Sequence, residues 1–281
     1  MSIRISADST CDLTQELIEK NKIGITPLYI IMGDKTLGDG TECTREDIFS
    51  YVRQTGKLCS TSAVPIGDYH EWFGRQLQEY DEVVHFTISS DMSACYQNAC
   101  AAATEFPGRV FVVDSRNLST GIGHLVLDAA EMARNGVPGG QIKAVLDEKK
   151  GRLNVSFILD TLIYLWKGGR CSGVAALGAN ILGLKPCIEV HDGAMGVGKK
   201  YRGSLKKSLA DYVRDRIADR DDVDYSRIFI TDSGVEPGTV EEIEALLRKL
   251  GPFEEIIHTN SGCTISNHCG PKCLGILYYN K

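Results

Sequence analysis

The chain has 281 residues, a net charge of −6, 43% hydrophobic residues and 24% charged residues. At roughly 100–200 residues per domain, this length predicts two domains. The composition is typical of a globular protein and excludes a disordered chain, a collagen and a coiled coil. The negative charge disfavours nucleic acid as a partner. The longest uncharged run, 171–184, is shorter than the roughly 20 apolar residues of a membrane span, so no integral membrane segment is predicted.

Strand-like and helical segments alternate through the first half of the chain. Thr44 and Asp47 resemble a capping box at the start of one of these helices. The alternation implies parallel strands that are connected by helical crossovers. The predicted strands are 2–7, 23–32, 82–88 and 109–114, and the predicted helices are one from about 13, 44–54, 66–80, 93–105 and a helical stretch to about 150.

The pattern changes after residue 151, where strands follow one another with fewer helices between them. We therefore predict an α/β protein of two α/β domains, 1–151 with a mainly parallel sheet and 152–281 with a mixed sheet and helices. His191-Asp192-Gly193 is the predicted turn of a hairpin. The predicted strands are 153–159, 186–190, 196–201, 226–231, 254–259 and 273–279, and the predicted helices are 172–182, 204–219 and 237–250.

Ten cysteines are an unusual number for such a chain, but no C-x-x-C pair occurs. The amino-terminal segment has no apolar signal core, so we expect a cytoplasmic protein whose thiols stay reduced. Most of the cysteines are then expected to pack as small buried hydrophobes. An alternative is a metal or redox site at Cys263, Cys269 and Cys273 beside His268. Their spacing matches no common zinc pattern, and no metal is predicted.

Clusters of hydroxyl side chains lie at the ends of several predicted strands. In parallel α/β sheets ligands collect at the carboxyl ends of strands, where Ser and Thr can hydrogen-bond an anion. The same residues also serve as ordinary helix caps, and both interpretations stay open. The clusters are Asp8-Ser9-Thr10, Ser60-Thr61-Ser62, the segment 89–93 with Ser93, and Asp114-Ser115.

Three further motifs carry possible chemistry. The run from Gly193 to Lys200 approaches a P-loop, but Lys200 replaces the hydroxyl residue and the run continues as a strand, so no nucleotide site is predicted. Arg170 follows a Gly-Gly turn and can pair with a carboxylate. Five cations lie within 199–207, and they form either a solvated face or a docking patch for an acidic partner.

These segments, taken together and in this order, resemble the DegV family from end to end. The resemblance rests on 8–13, Thr61-Ser62 with Pro65, 88–97 with Ser93, Val113-Asp114-Ser115, 165–170, Leu184-Lys185-Pro186, Lys199 with Arg202, Lys206 and Lys207, and His268 with Gly270-Pro271. It implies a bacterial fatty-acid-binding protein with two α/β domains and the ligand, a long-chain fatty acid such as palmitate, buried between them. Relatives present the fatty acid to a separate kinase subunit, which phosphorylates the carboxylate for phospholipid synthesis.

By the same resemblance, a network of hydroxyl, imidazole and guanidinium groups holds the carboxylate. The implied ligand-binding residues are Thr61, Ser62, Ser93, Arg170 and His268, with Ser9, Thr10, Ser115, Cys269 and Gly270 as neighbours of the site. Lys199, Lys200 and Arg202 resemble the surface on which the kinase docks. No cofactor and no catalytic residue are implied. The chain departs from the family pattern at Cys269, where Thr is usual, and at Lys272, where Gly is usual.

A different function class is a Ser–His acyl ester hydrolase that uses Ser93 and His268. The chain contains no G-x-S-x-G elbow, and no acid is evidently paired with His268. The Cys/His metal or redox protein is the less favoured alternative.

Overall fold

The protein is described by a computed structural model that covers residues 2–171 and 183–281. The helix predicted over 172–182 lies outside the described residues. In chain order the strands are β1 (Ile3–Asp8), β2 (Gly24–Thr26), β3 (Tyr29–Met32), β4 (Lys35–Gly38), β5 (Ser60–Ser62), β6 (Glu82–Thr87), β7 (Val110–Asp114), β8 (Leu153–Ile158), β9 (Leu184–His191), β10 (Ala194–Arg202), β11 (Val223–Asp232), β12 (Glu255–Asn260) and β13 (Leu274–Asn280).

The helices within the described residues are short to medium in length. They are α1 (Gln15–Lys20), α2 (Arg45–Thr55), α3 (Ile66–Gln76), α4 (Cys95–Ala103), α5 (Thr120–Arg134), α6 (Gly139–Lys149), α7 (Ile163–Gly168), α8 (Leu205–Ile217), α9 (Thr239–Leu250) and α10 (Cys263–Cys269). None of the helices in the described ranges is long and apolar enough to cross a membrane. The capping box predicted for Thr44 and Asp47 is confirmed at the start of α2.

The first sheet has four parallel strands in the order β2-β1-β6-β7. Its central strands β1 and β6 are buried along most of their length, as expected for a parallel sheet with helices on both faces. The second sheet has six strands in the order β10-β9-β8-β13-β11-β12, and only β11 and β12 pair in parallel. The predicted α/β fold with a parallel first sheet and a mixed second sheet is therefore confirmed.

The predicted single strand over 23–32 is wrong, because it contains two strands that belong to different sheets. β2 joins the first sheet, whereas β3 forms a small antiparallel sheet in the order β4-β3-β5. Pro27 has no N–H to donate, and the N–H of Leu28 donates to Ser9 Oγ at 3.1 Å instead of to a neighbouring strand. The small sheet brings β5, with Thr61 and Ser62, next to β3.

Helix α5 packs between the two large sheets and contacts β1 and β6 on one side and β8 and β13 on the other. Most of its residues are buried. Two glycines allow this close packing: a Cβ on Gly123 would lie 3.1 Å from the carbonyl oxygen of Cys11, and one on Gly121 would lie 3.1 Å from Val155. The predicted domain boundary at 151 falls in a short 3-10 turn between α6 and β8, and it stays a prediction.

Candidate functional site

A cavity lies at the carboxyl edge of the first sheet, between that sheet and the elements that follow β8. It contains about 550 Å³ of empty space, counting the part that is open to solvent. Elements from both predicted domains line it: β5, the loop between β6 and α4, the segment before α5, α7, β10 and α10. Strand ends at this edge of a parallel sheet are the usual place for a ligand.

All five residues predicted to bind the ligand line this one cavity, although they come from four separate segments of the chain. Thr61 and Ser62 lie on β5, Ser93 precedes α4, Arg170 follows α7, and His268 lies on α10. The small sheet and α10 meet here, because Thr61 Oγ1 and His268 Nε2 form a hydrogen bond of 2.9 Å. Residues that are 207 positions apart therefore form one polar wall.

The imidazole of His268 is neutral at neutral pH. Burial lowers the pKa of His268 to about 4, and the nearby charge of Arg170 adds to this effect. Gly168 leaves room for the ring, since a Cβ at this position would lie 2.4 Å from His268 Nδ1. Among the described residues, His268 Nδ1 has no hydrogen-bond partner. A buried polar atom of this kind favours a ligand that supplies the missing hydrogen bond.

Two further polar groups project into the cavity. Ser93 Oγ donates to Cys95 Sγ at 3.2 Å and accepts from the N–H of Cys95 at 3.3 Å, so the hydroxyl is held by the first residue of α4. A thiol is a weak acceptor, which leaves the Ser93 proton available for a better one. Thr264 Oγ1 on α10 also lines the cavity, and it has no partner within the described residues.

Arg170 supplies the positive charge of the site. Its exposed side chain follows Gly169, which has a φ of 67°, and its guanidinium donates to the Gly168 carbonyl oxygen at 2.6 Å. The guanidinium charge is close enough to His268 to lower the pKa of that imidazole. Neutral donors beside a single cation suit a ligand with one negative charge.

The rest of the cavity wall is largely apolar, and sequence reasoning did not identify these residues. They are Leu28, Ala63, Ile88, Met92, Leu118, Leu165, Met195 and Ile265. A second space adjoins the cavity and shares Leu118, Ile265 and Cys269 with it; it contains about 330 Å³ of empty space, again counting the part that is open to solvent. It extends between the segment before α5, α10 and the second sheet, where Phe157 and Leu277 line it. No local sequence signal distinguishes these positions from ordinary core residues.

The predicted neighbours of the site have different positions. Cys269 lines both spaces, whereas Ser9, Thr10, Ser115 and Gly270 are not among the described residues that line the cavity. Ser9 Oγ donates to Asp39 Oδ2 at 3.0 Å, and Ser115 Oγ donates to the carbonyl oxygen of Asn117 at 3.2 Å. These hydroxyls stabilise loops near the cavity and do not reach it.

The predicted docking residues lie on β10, away from the polar wall. Lys199 pairs with Asp215, and its ammonium also lies 5.3 Å from the ring centre of Tyr201. Lys200 and Arg202 are exposed and have no carboxylate partner among the described residues. The hairpin predicted around Asp192-Gly193 is confirmed by the antiparallel pairing of β9 and β10, so the P-loop-like run is a strand.

The alternatives that use cysteine or serine chemistry are not supported by the geometry. Cys263 lies at the start of α10 and contacts Cys43, with the two sulfur atoms 3.7 Å apart, whereas Cys269 lies at the other end of the helix. The described ranges contain no group of three or more His, Cys, Asp or Glu side chains arranged to hold a metal. His268 Nε2 contacts Thr61 and not Ser93, and no carboxylate orients its Nδ1 within the described chain.

The fold and the cavity define an α/β protein with one parallel and one mixed sheet, in which both halves of the chain line a cavity suited to a ligand. The family model described as "Uncharacterised protein, DegV family" matches residues 2–281. A DegV domain-containing protein of Caldanaerobacter subterraneus subsp. tengcongensis is 31% identical, with 99% of each chain covered. The chain belongs to the DegV family.

Two solved structures have the same fold over nearly their whole length. One is a DegV family protein from Thermus thermophilus described by its fatty acid binding, with a TM-score of 0.89, 31% identity and 100% of each chain covered. The other is a stearic acid-binding protein from Eubacterium ventriosum, with a TM-score of 0.83, 26% identity and coverage of 100% of this chain and 99% of that one.

Proposed function

We propose that this protein binds a long-chain fatty acid in the cavity and presents it to a separate kinase, without catalysing a reaction itself. The observation that carries the proposal is the convergence of Thr61, Ser62, Ser93, Arg170 and His268 on one cavity whose other walls are apolar. Fatty acid binding by the Thermus thermophilus and Eubacterium ventriosum relatives supports it.

In this proposal the polar wall holds the carboxylate. A carboxylate accepts hydrogen bonds only, so it pairs with hydroxyl protons, an imidazole N–H and a guanidinium. Within the described part of the chain, His268 Nδ1 and Thr264 Oγ1 have no partner, so they have hydrogen-bonding capacity to offer a ligand in the cavity. Burying a carboxylate without donors costs far more than burying an apolar group, so these contacts make binding possible and set its orientation.

The tail supplies most of the affinity. Each buried CH₂ group contributes about 0.8 kcal/mol, so roughly fourteen of them contribute about 11 kcal/mol before costs. Loss of translational and rotational freedom and ordering of the chain remove several kcal/mol of that sum. The second space, lined by Phe157, Ile265 and Leu277, continues the apolar wall away from His268, and we assign the tail to this direction.

Mass spectrometry of lipid extracted from the purified protein tests the binding proposal. We expect a long-chain fatty acid in near-stoichiometric amount, and rebinding of palmitate or oleate by the delipidated protein. Extracts without fatty acid, together with no binding in titration, would contradict the proposal. Hydrolysis of a long-chain acyl ester that is abolished by Ser93→Ala would favour the hydrolase instead.

Presentation to a kinase is proposed from the exposed cations on β10. Because Lys200 and Arg202 have no carboxylate partner in the described chain, they are free to pair with an acidic surface. With a fatty acid kinase subunit and ATP, the double variant Lys200→Glu, Arg202→Glu is expected to retain the bound fatty acid and to form acyl-phosphate at least about tenfold more slowly. The matched control reverses two exposed charges elsewhere, at Lys20 and Lys22. Equal rates for the two double variants would contradict the docking proposal.

A further inference from the structure

Ser93 is placed by a compact turn that follows β6. The carbonyl oxygen of Ser89 accepts the N–H of Met92 at 2.9 Å and the N–H of Ser93 at 3.2 Å. Met92 and Ser93 both line the cavity, whereas Ser89 is fully buried beneath them. The position of the Ser93 hydroxyl therefore depends on what holds Ser89.

The tip of the β9–β10 hairpin holds Ser89. Ser89 Oγ donates to the carbonyl oxygen of Gly193 at 2.6 Å, so this hydrogen bond joins a loop of the first half of the chain to a hairpin of the second half. Gly193 has a φ of 85°, and a Cβ at this position would lie 2.7 Å from Ser89 Oγ and 2.4 Å from Arg116 Cζ. The contact is thus close enough that only glycine fits without displacing its neighbours.

Arg116 joins the same two elements from the loop after β7. Its guanidinium donates to Ser90 Oγ at 3.1 Å, to the two carboxylate oxygens of Asp91 at 2.9 and 3.1 Å, and to the carbonyl oxygen of Asp192. The backbone of Arg116 has a φ of 51°, a conformation that a non-glycine residue adopts only when its surroundings hold it. Asp114 Oδ1 holds it by accepting the N–H of Arg116 at 3.0 Å.

The hairpin carries a cavity residue of its own. Met195 lies two positions after Gly193 on β10 and forms part of the apolar wall, together with Met92 and Ser93 from the other side. We refer to Ser89, Arg116, Asp192 and Gly193 as the clasp. The clasp joins two walls of the cavity that belong to different halves of the chain.

We infer that Arg116 is a positioning residue for the bound ligand: through the clasp it holds Ser93 and Met195 in place and thereby sets how fast the ligand dissociates. Arg116 itself is not among the described residues that line the cavity, so it acts through the two elements that it joins. Two parallel N–H donors to one carboxylate make this contact directional as well as strong. The inference rests on the proposed fatty acid binding.

The dissociation rate of a fluorescent long-chain fatty acid, measured by stopped flow, tests the inference. Arg116→Ala is expected to raise that rate by about tenfold with little change in the association rate, and Arg116→Lys is expected to recover part of the loss. The matched control is Arg220→Ala. Arg220 pairs with Asp222 on the far side of the second sheet, and its side chain is 27% exposed compared with 32% for Arg116. A merely structural role would make both alanine variants less stable and leave their dissociation rates equal to that of the wild type.

A double-mutant cycle tests the clasp from the hairpin side. Gly193→Ala is expected to raise the dissociation rate by a similar factor, because its methyl group displaces Arg116 and Ser89. Since Arg116 contributes to both effects, the dissociation rate of the double variant is expected to be lower than the product of the two single effects. Additive effects, or a wild-type rate in Arg116→Ala, would overturn the inference. If the wild-type protein binds no fatty acid, the proposed function fails before the clasp is tested.

Discussion

Replacing His268 with alanine is expected to lower the affinity for a long-chain fatty acid by about 10- to 100-fold, the range for losing a hydrogen bond to a charged group. The imidazole is neutral, because burial lowers its pKa to about 4, so the variant loses hydrogen bonds and not a charge. Thr61 Oγ1 also loses its partner at 2.9 Å. Isothermal titration of delipidated protein with palmitate or oleate measures the effect.

Two variants separate this role from general destabilisation. His268→Gln keeps a neutral side chain that forms hydrogen bonds, and it is expected to recover part of the affinity. His70 is exposed on α3, and His70→Ala is expected to bind like the wild type. Wild-type affinity in His268→Ala would show that the carboxylate is not bound at this wall.

The second large effect concerns Asp8 at the end of β1, and it is an effect on stability. Asp8→Ala is expected to lower the free energy of unfolding by about 3–5 kcal/mol, because it removes the acceptor from several buried groups. The Tyr69 hydroxyl donates to Asp8 Oδ1 at 2.6 Å, the N–H of Ile88 donates to Oδ2 at 3.1 Å, and His85 Nε2 lies 3.2 Å from Oδ1. Urea denaturation monitored by circular dichroism measures the change.

A comparison with a second aspartate shows whether burial is the cause. Asp68 also accepts a hydroxyl, that of Tyr29, but it is only partly buried, so Asp68→Ala is expected to cost about 1 kcal/mol or less. Asp8→Asn keeps one carbonyl acceptor and is expected to lie between the wild type and Asp8→Ala. A loss of less than about 1 kcal/mol in Asp8→Ala would contradict the assigned role of this buried network.

Elements with strong local signals were predictable, and those stabilised by distant residues were not. The alternating pattern of 186–201 with Asp192-Gly193 at its centre predicted the hairpin, and Thr44 with Asp47 predicted the start of α2. Helix α10 was missed because its first N–H groups are bound by Asp39, which accepts from Cys263 N at 2.8 Å and Thr264 N at 3.1 Å. Asp39 is 224 residues away from Cys263 in the chain, so the residues next to α10 give no indication of this cap.

The resemblance to the DegV family identified the polar residues of the cavity better than its apolar walls. It implied Thr61, Ser93, Arg170 and His268, whereas the local clusters alone left ordinary helix caps as an open interpretation. Met195 and Leu118 are ordinary apolar residues in sequence, and their place in the wall follows from packing between α5, β10 and the loops after β6 and β7. In sequence, the Asp8-Ser9-Thr10 cluster resembles an anion-binding site. In the structure, Asp8 accepts hydrogen bonds from buried donors, and the Ser9 hydroxyl donates to Asp39.

The sequence by itself determined the α/β class and the two sheet types, because periodicity and turn residues are local properties. The resemblance to the DegV family indicated the polar residues of the cavity other than Thr264. Only the tertiary structure decided that Thr61 contacts His268, that 23–32 divides between two sheets, and that Arg116 joins the Ser93 loop to the hairpin. These are contacts between segments far apart in the chain. They depend on how the helices and sheets pack around α5, and this packing cannot be inferred from any local pattern of residues.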